Sequence, residues 1–306
     1  MMTRINEHLA GLSTERRSDA HRDLDLWETR DIVAAMNDLD RGVIEAVRAR
    51  TDEITAAIEV IVDSLRAGGR LIYAGAGSAG RLGVLDAAEC GPTFSVEPEK
   101  VLAVVAGGTD AVARAVEAAE DDYDAGCDAM SMLEAGPDDV VVGISASGRT
   151  PYVLGAIETA RARGASTVGI ANNENSPLSS LAQVGIDIAT GPELVAGSTR
   201  LKAGTAQKLV LNMLSTVSMI RLGRTYGNLM IDVRVSNDKL RARAAAIISE
   251  ITGASTDDAI RALDAAGGKA KIAVVMVATG LDAGAATTLL LAHDGHLRLA
   301  LEDSQP

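Results

Sequence analysis

The first third of the chain is patterned for helices and then for strands. Residues 31–46 and 51–65 carry apolar side chains at helical spacing, with Ile54 and Ile58 on one stripe. From Gly68 onward, short apolar runs of β type alternate with helical stretches. This alternation predicts a parallel sheet with helices on both of its faces.

Five runs are predicted to be strands of that sheet: 70–74, 101–105, 140–144, 167–171 and 186–189. The helices between and after them are predicted to be one ending near residue 90, then 110–121, 151–163 and 202–222. Because the apolar runs are continuous, the strands should be buried on both sides. The fold class is therefore α/β, a doubly wound parallel sheet in a three-layer sandwich, preceded by helices.

Beyond about residue 236 the pattern predicts helices alone, separated by glycines. The predicted helices are 238–251, 256–266, 269–279 and 281–292. We therefore expect an N-terminal arm and helices over 1–60, a sheet domain over 61–224 and a small all-helical C-terminal domain over 236–306.

Composition narrows the class of partner. The chain has 306 residues and a net charge of −13, from 29 basic and 42 acidic residues, with no long basic run. A broad surface for nucleic acid or for an anionic membrane would need clustered positive charge, so we expect neither partner. Two cysteines exclude a disulfide framework. With no secretory or membrane-spanning segment in the pattern, we expect a cytoplasmic protein.

Two loops rich in Gly and Ser each follow a strand and open a helix. They are Gly75–Gly80 and Ser145–Thr150. Free backbone N–H groups and the helix dipole converge at such places, and the carboxyl edge of an open α/β sheet binds ligands. The alternative is a pair of tight turns, where Gly and Ser are common. The candidate phosphate-binding residues are Ser78, Ser145, Ser147, Gly148, Arg149 and Thr150.

Two glutamates are candidates for acid–base chemistry. Glu89 shares a helical stripe with Leu82 and Leu85, where burial would favour the protonated form that suits a general acid. The alternative is a helix-end glutamate paired with an arginine. Glu120 flanks the apolar stripe of the helix predicted over 110–121, and its alternative is a solvated acidic helix end.

A third candidate stretch is the entry to the long helix, Gly197–Lys208. Arg200, Lys202 and Lys208 lie close together there, and of these Lys202 is the candidate ligand for an anion or a sugar hydroxyl. The alternative is a solvated basic face. The chain has no CxxC or HExxH motif, so we expect no metal and no cofactor.

Several long strings resemble the N-acetylmuramic acid 6-phosphate etherase family. The resemblance runs from about residue 14 to near the C-terminus, and the strings that carry it are Arg70–Cys90, Ala115–Asp121, Val140–Tyr152, Gly197–Thr216 and Asn228–Val233. It implies a sugar isomerase (SIS) domain, which is a doubly wound parallel sheet, with a small helical domain after it. In the first loop, Ala79 stands where the family usually has a hydroxyl residue.

The resemblance also implies an activity. The family is a carbon–oxygen lyase that removes the D-lactyl ether from its substrate by elimination and then hydration, in cell-wall recycling. Its catalytic glutamates fall on Glu89 and Glu120. Glu120 would take the C2 proton of the open-chain aldehyde, and Glu89 would protonate the departing ether oxygen and then activate water. No metal or redox cofactor is implied.

Two other functions stay open on the sequence. The same motifs are similar to those of the glucokinase regulatory protein, a phosphosugar sensor without turnover. A different sugar-phosphate isomerase of the SIS group would also need a carboxylate base at C2. Because SIS domains commonly bury helices between two chains, we expect a homodimer with a small-molecule phosphosugar substrate.

Overall fold

A computed structural model of the chain describes residues 12–233, 235 and 237–304. Two helices come first, α1 (Thr29–Arg48) and α2 (Thr51–Arg66). The strands are β1 (Leu71–Gly75), β2 (Val101–Val105), β3 (Val140–Ser145), β4 (Ser166–Ala171) and β5 (Val184–Asp187). Among them lie α3 (Gly77–Phe94), α4 (Asp110–Ala113), α5 (Tyr123–Met132), α6 (Pro151–Ala162) and α7 (Pro177–Leu181). After them come α8 (Lys202–Arg221), α9 (Asp238–Thr252), α10 (Thr256–Ala265), α11 (Ala270–Thr279), α12 (Ala283–Ala292) and α13 (Leu297–Asp303).

The five strands form one parallel sheet in the order β2-β1-β3-β4-β5. The chain moves outward from β1 to β2, crosses back to β3 on the other side of β1, and then continues to β5. Such a reversal creates a topological switch point between β1 and β3, at the carboxyl edge where open α/β sheets bind ligands. The predicted fold class is confirmed.

The core of the sheet unit is aliphatic. Every residue of β1 and of β3 is buried, which explains why these strands read as continuous apolar runs. One face packs Ile72 and Val141 with Val153 and Ile157 of α6. Removing such side chains from water stabilises the fold by about 25 cal/mol per Å² of apolar surface. This favours packing α6 against this face of the sheet.

The chain divides into two compact units. One takes in the sheet and consists of residues up to 87 and residues 99–214; the other consists of residues 88–98 and those from 215 onward. In the second unit, the helices α9, α10 and α12 start at the side-chain caps Asn237, Ser255 and Asp282. Gly253 and Gly280 end α9 and α11 in the left-handed conformation. The predicted domain boundaries stay a prediction.

One predicted helix is wrong. The pattern over 110–121 predicted one continuous helix, but α4 ends at Ala113 and Arg114 is extended. Arg81 of α3 explains the ending, because its guanidinium donates to the carbonyl oxygens of Val112 and Arg114, at 3.0 and 2.9 Å. Ala118 then takes a left-handed φ of 60° before a 3₁₀ turn over Ala119–Asp121. The helices α5, α7 and α13 were not predicted.

No described helix is by itself long and apolar enough to cross a membrane. By length and composition alone, α11 and α12 meet that test only as a pair, with a bend of 103° between them.

We expect Gly126→Ala to destabilise the protein. A Cβ on Gly126 of α5 would lie 2.0 Å from the carbonyl oxygen of Tyr152, so the helices α5 and α6 would have to separate. Overpacking of this kind costs roughly 1–3 kcal/mol. The matched control is Gly42→Ala on α1, where a Cβ meets nothing within 4 Å. Thermal unfolding should give a lower midpoint for Gly126→Ala and an unchanged or higher one for Gly42→Ala. Equal midpoints would contradict the packing argument.

Candidate active site at the carboxyl edge of the sheet

A cavity of about 470 Å³ lies at the carboxyl ends of β1 and β3, within the sheet unit. Six parts of the chain line it: the loop after β1, the loop after β3, the 3₁₀ turn Ala119–Asp121, the N-terminal residues Leu12 and Glu15, the residues Gly197 and Thr199, and Gln207 of α8. The topology of the sheet brings these parts together, although they are far apart in sequence.

The loop after β1 is tight because two glycines meet through their backbones. A Cβ on Gly75 would lie 2.7 Å from the backbone nitrogen of Gly80, and one on Gly80 would lie 2.8 Å from the carbonyl oxygen of Gly75. This contact lets α3 begin at Gly77, directly after the strand. Ser78 and Ala79 of its first turn line the cavity. First-turn N–H groups have no partner within their helix, so they suit an anion.

The loop after β3 is held by its own hydroxyl groups. The Oγ of Ser145 lies 2.7 Å from the Oγ1 of Thr150 and accepts a hydrogen bond from the N–H of Gly148. The Oγ of Ser147 accepts a hydrogen bond from the N–H of Arg149. Gly148 has a φ of 67°, and a Cβ there would lie 2.4 Å from the Cβ of Ser176. Gly148 therefore shapes the loop, whereas the other four residues line the cavity.

The cavity is poor in positive charge. Among the described residues that line it, Arg149 is the only cation, against the carboxylates Glu15, Glu120 and Asp121. A phosphate there would be held mainly by hydroxyls and by the N–H groups at the start of α3, because α6 begins at Pro151, which has no N–H. Behind the loop, burial raises the pKa of Tyr152 to about 12, so its hydroxyl stays neutral. The described residues include no group of three or more His, Cys, Asp or Glu arranged to hold a metal ion.

Glu120 lines the cavity, and its predicted role as a catalytic base stays a prediction. It is exposed and sits in the 3₁₀ turn rather than on the predicted helix. The apolar stripe that it was expected to flank is not buried either, since Val112 is 39% and Val116 is 43% exposed. The 3₁₀ turn, and not the predicted helix, therefore brings Glu120 to the cavity.

Glu89 is not among the described residues that line this cavity. It lies on the part of α3 that belongs to the other unit, and its side chain is exposed. Leu85, expected to share a buried stripe with it, is 52% exposed. The expectation that Glu89 lies on a buried stripe is therefore wrong, since solvent reaches both residues.

Lys202 is buried beneath the site instead of lining it. Its Nζ donates to the carbonyl oxygen of Thr190 at 2.7 Å, and the residue is only 6% exposed. Burial lowers the pKa of Lys202, while the nearby charge of Glu193 opposes that shift. Glu193 also accepts hydrogen bonds from the N–H groups of Lys202 and Ala203. These contacts fix the start of α8.

Sequence reasoning missed Asn173, which ties two walls of the cavity together. Its Oδ1 accepts hydrogen bonds from the N–H of Ser13 at 2.7 Å and from the N–H of Thr14 at 3.4 Å. Its Nδ2 donates to the Oγ1 of Thr14 and to the carbonyl oxygen of Ala146, at 3.0 and 2.9 Å. The usable signal was a pair of asparagines directly after β4.

Glu15 also lines the cavity and was missed, whereas the lining residues Thr199 and Gln207 fall within the candidate stretch Gly197–Lys208 without having been singled out. Gln207 is 1% exposed and donates to the Oδ1 of Asn172 at 2.9 Å. Asn172 in turn donates its backbone N–H to the carbonyl oxygen of Ala146. A buried amide network thus supports the loop after β3 from below.

Family models and curated relatives both match the chain. The matching models are the N-terminal SIS domain of glucokinase regulatory protein over residues 53–161, the SIS domain over 115–217, and the C-terminal lid domain of glucokinase regulatory protein over 227–266. An N-acetylmuramic acid 6-phosphate etherase from Streptomyces avermitilis is 51% identical, over 98% of each chain. One from Rubrobacter xylanophilus is 52% identical, over 98% of this chain and 99% of its own.

The chain belongs to the N-acetylmuramic acid 6-phosphate etherase family. A family member from Mycolicibacterium smegmatis is 50% identical over 96% of this chain and 98% of its own, so the similarity includes the helical C-terminal part. The etherase family resemblance drawn from the sequence is confirmed. The roles of individual site residues stay predictions.

We expect Asn173→Asp to free the N-terminal segment from the cavity. The change keeps an acceptor for Ser13 but puts a carboxylate oxygen against the carbonyl oxygen of Ala146. Leaving such a buried group unsatisfied costs roughly 1–3 kcal/mol, which corresponds to a rise in local opening of roughly 5- to 160-fold. Trypsin cleavage after Arg16 and Arg17, both exposed, should accelerate accordingly.

The matched control for that measurement is Asn175→Asp. It adds the same charge two residues away, at an exposed position whose φ of 53° suits either residue. Its cleavage rate should equal that of the parent protein. Equal rates for both variants would show that Asn173 does not hold the segment.

Proposed function

We propose that this protein cleaves the D-lactyl ether of N-acetylmuramic acid 6-phosphate, giving N-acetylglucosamine 6-phosphate and D-lactate. The observation that carries the proposal is relatives about 50% identical over nearly the whole chain that bear this etherase name. The cavity supports it, because it combines a hydroxyl-rich loop of phosphate-binding type with a carboxylate at the carboxyl edge of the sheet.

In this proposal, the loop after β3 and the start of α3 bind the phosphate. The donors are the hydroxyls of Ser78, Ser147 and Thr150, the N–H groups at the start of α3, and Arg149. Ser145 is 3% exposed and already bonded to Thr150, so it supports the loop more than it meets the ligand. A phosphate fixed here places the sugar across the cavity, within reach of the opposite wall.

The proposed reaction is an elimination followed by hydration, which makes the enzyme a carbon–oxygen lyase. Glu120 removes the C2 proton of the open-chain aldehyde, and the C3–O bond breaks with D-lactate as leaving group. Water then adds at C3 and the C2 proton returns. Each proton transfer by a placed group is typically worth about 10²–10⁴ in rate.

We propose that Glu89 protonates the departing ether oxygen and then activates water. The support is the family resemblance of the string around it, Asp86–Cys90. The sheet-unit cavity does not include it. The two glutamates therefore need a test that separates their steps.

The test combines lactate release with hydrogen exchange at C2. The parent protein should release D-lactate from N-acetylmuramic acid 6-phosphate, and both Glu120→Gln and Glu89→Gln should lose at least about a hundredfold in rate. In D₂O, Glu120→Gln should also lose C2 deuterium incorporation, because the base is gone. Glu89→Gln should keep that incorporation while releasing little lactate.

A second label checks the order of bond changes. In H₂¹⁸O, elimination and hydration place ¹⁸O on C3 of the sugar and none in the lactate ether oxygen. Label in the D-lactate, or no release by folded parent protein, would contradict the proposal. Exchange retained in Glu120→Gln would remove that residue from the base role.

The other two functions are less well supported. Two of the matching models come from glucokinase regulatory protein, but they cover parts of the chain, whereas etherase relatives match 98% of it. Tight phosphosugar binding without turnover would favour the regulator. Aldose–ketose interconversion without lactate release would favour an isomerase.

We keep three further expectations within this proposal: a cytoplasmic location, a role in cell-wall amino-sugar recycling and a homodimer. One face of α1 exposes Val33, Met36 and Ile44, at 54%, 37% and 55%, which a second copy of the chain would cover. Light scattering should therefore report twice the chain mass of 31.6 kDa. A mass of one chain at micromolar concentration would contradict the homodimer.

A further inference from the structure

Glu15 is a cavity carboxylate that the proposed reaction has not used. It ends the 3₁₀ turn Ser13–Glu15, is partly buried, and lines the cavity that also holds Glu120. Its Oε2 lies 3.0 Å from the position that a Cβ on Gly197 would occupy. The carboxylate thus lies over the backbone of Gly197, where a larger residue would displace it.

Nothing within the described part of the chain uses this carboxylate. Among residues 12–233, 235 and 237–304, no group forms an ion pair or a side-chain hydrogen bond with Glu15. The Glu15 carboxylate therefore faces the cavity with no such partner in the described part of the chain. Its backbone, in contrast, is held firmly, because the turn is anchored by the buried side chain of Asn173 and Thr14 is 0% exposed.

The anchor makes the position of Glu15 depend on the phosphate loop. Asn173 bonds both to Thr14 and to the carbonyl oxygen of Ala146 in the loop after β3. The N–H of Gly197 also donates to the carbonyl oxygen of Thr14, at 3.3 Å. The turn is therefore built into the cavity wall, where a fixed group can meet a reacting atom.

The proposed chemistry leaves one step without a catalyst. Elimination needs an aldehyde at C1, whereas a hexose phosphate with a free anomeric hydroxyl is mainly a closed pyranose. Ring opening takes the proton from O1, breaks the C1–O5 bond as C1=O1 forms, and returns a proton to O5. O1 and O5 are bonded to the same carbon, C1, so one carboxylate can reach both of them. It can accept the proton from O1 and then deliver that proton to O5.

We propose that Glu15 is the acid–base group that opens the pyranose ring of the substrate. Its carboxylate accepts the O1 proton and passes it to O5, with no net proton change and no co-reactant. This inference rests on the proposed function, since it supplies the aldehyde that Glu120 then acts on. It assigns a separate task to each of the two glutamates that line the cavity.

The test measures ring opening under conditions in which elimination cannot occur. The probe is N-acetylglucosamine 6-phosphate, which has no lactyl group, and the background is Glu120→Gln, which blocks C2 chemistry. Exchange between the α and β anomers is measured by NMR magnetisation transfer at C1, at several probe concentrations up to saturation. Because anomers interconvert through the open chain, the maximal exchange rate reports the rate of opening.

The background protein should speed anomer exchange above that of the probe alone. Adding Glu15→Gln should lower the enzyme-dependent exchange at least tenfold, and Glu15→Asp should restore part of it. The matched control is Glu174→Gln, which removes the same charge from an exposed residue beside Asn173 and outside the cavity lining. It should leave exchange unchanged. Trypsin cleavage after Arg16 and Arg17 should be the same with and without Glu15→Gln, which shows that the turn stays docked.

Three results would overturn the inference: undiminished exchange in Glu15→Gln, a background protein that does not speed exchange, or loss of probe binding as the whole effect of Glu15→Gln. The last result would make Glu15 a binding residue. Failure of the proposed function looks different, because parent protein would then release no D-lactate. Normal lactate release with Glu15-independent anomer exchange would reject the role of Glu15 alone.

Discussion

Parallel pairing of β1 with β3, and of β3 with β4, is the constraint on which the site depends. The register aligns Gly75 with Ile144 and Ser145 with Ala171, so three strands end at nearly the same level. Two strands deliver the phosphate-type loops there, and the third delivers the asparagines that support them. A one-residue shift in register would move every side chain of a strand to the opposite face of the sheet, and it would also move the loops at the strand ends out of alignment.

The proposed function requires the cavity to bind an anion beside the carboxylates Glu15 and Glu120, which is an electrostatic compromise. A cluster of lysines and arginines would bind a phosphate strongly, but it would also pair with Glu120 and Glu15 and lower their capacity to take a proton. Helix N-termini avoid that conflict, because their partial charges are fixed in direction and act over about one turn. Arg149 is exposed, so solvent weakens its attraction for carboxylates elsewhere in the cavity. A net charge of −13 adds long-range repulsion for an anionic substrate, which short-range N–H contacts have to overcome.

The two glutamates show where helical periodicity succeeds and where it fails. Glu120 was identified beside a predicted apolar stripe, yet the helix of that stripe ends at Ala113. The carbonyl oxygens of Val112 and Arg114 accept hydrogen bonds from Arg81, a residue of a different helix. The sequence of residues 110–121 alone does not reveal that contact. Glu89 does lie on a helix as predicted, but periodicity reports which residues share a face and not what covers that face.

The order of the strands along the chain was readable directly from the sequence. Four of the five strands were placed within a residue at each end and β5 within two, because a strand buried on both faces must be continuously apolar. The loops at their ends were equally visible, since tight βα turns need glycine and small polar residues. Glu15, Asn173 and the burial of Lys202 were different. Each depends on a contact between segments far apart in sequence, such as the bonds from Asn173 to Ser13 and Thr14. Side chains of this kind carry no periodic pattern of their own, so packing of the folded chain alone determines whether they support the cavity, line it or lie outside it.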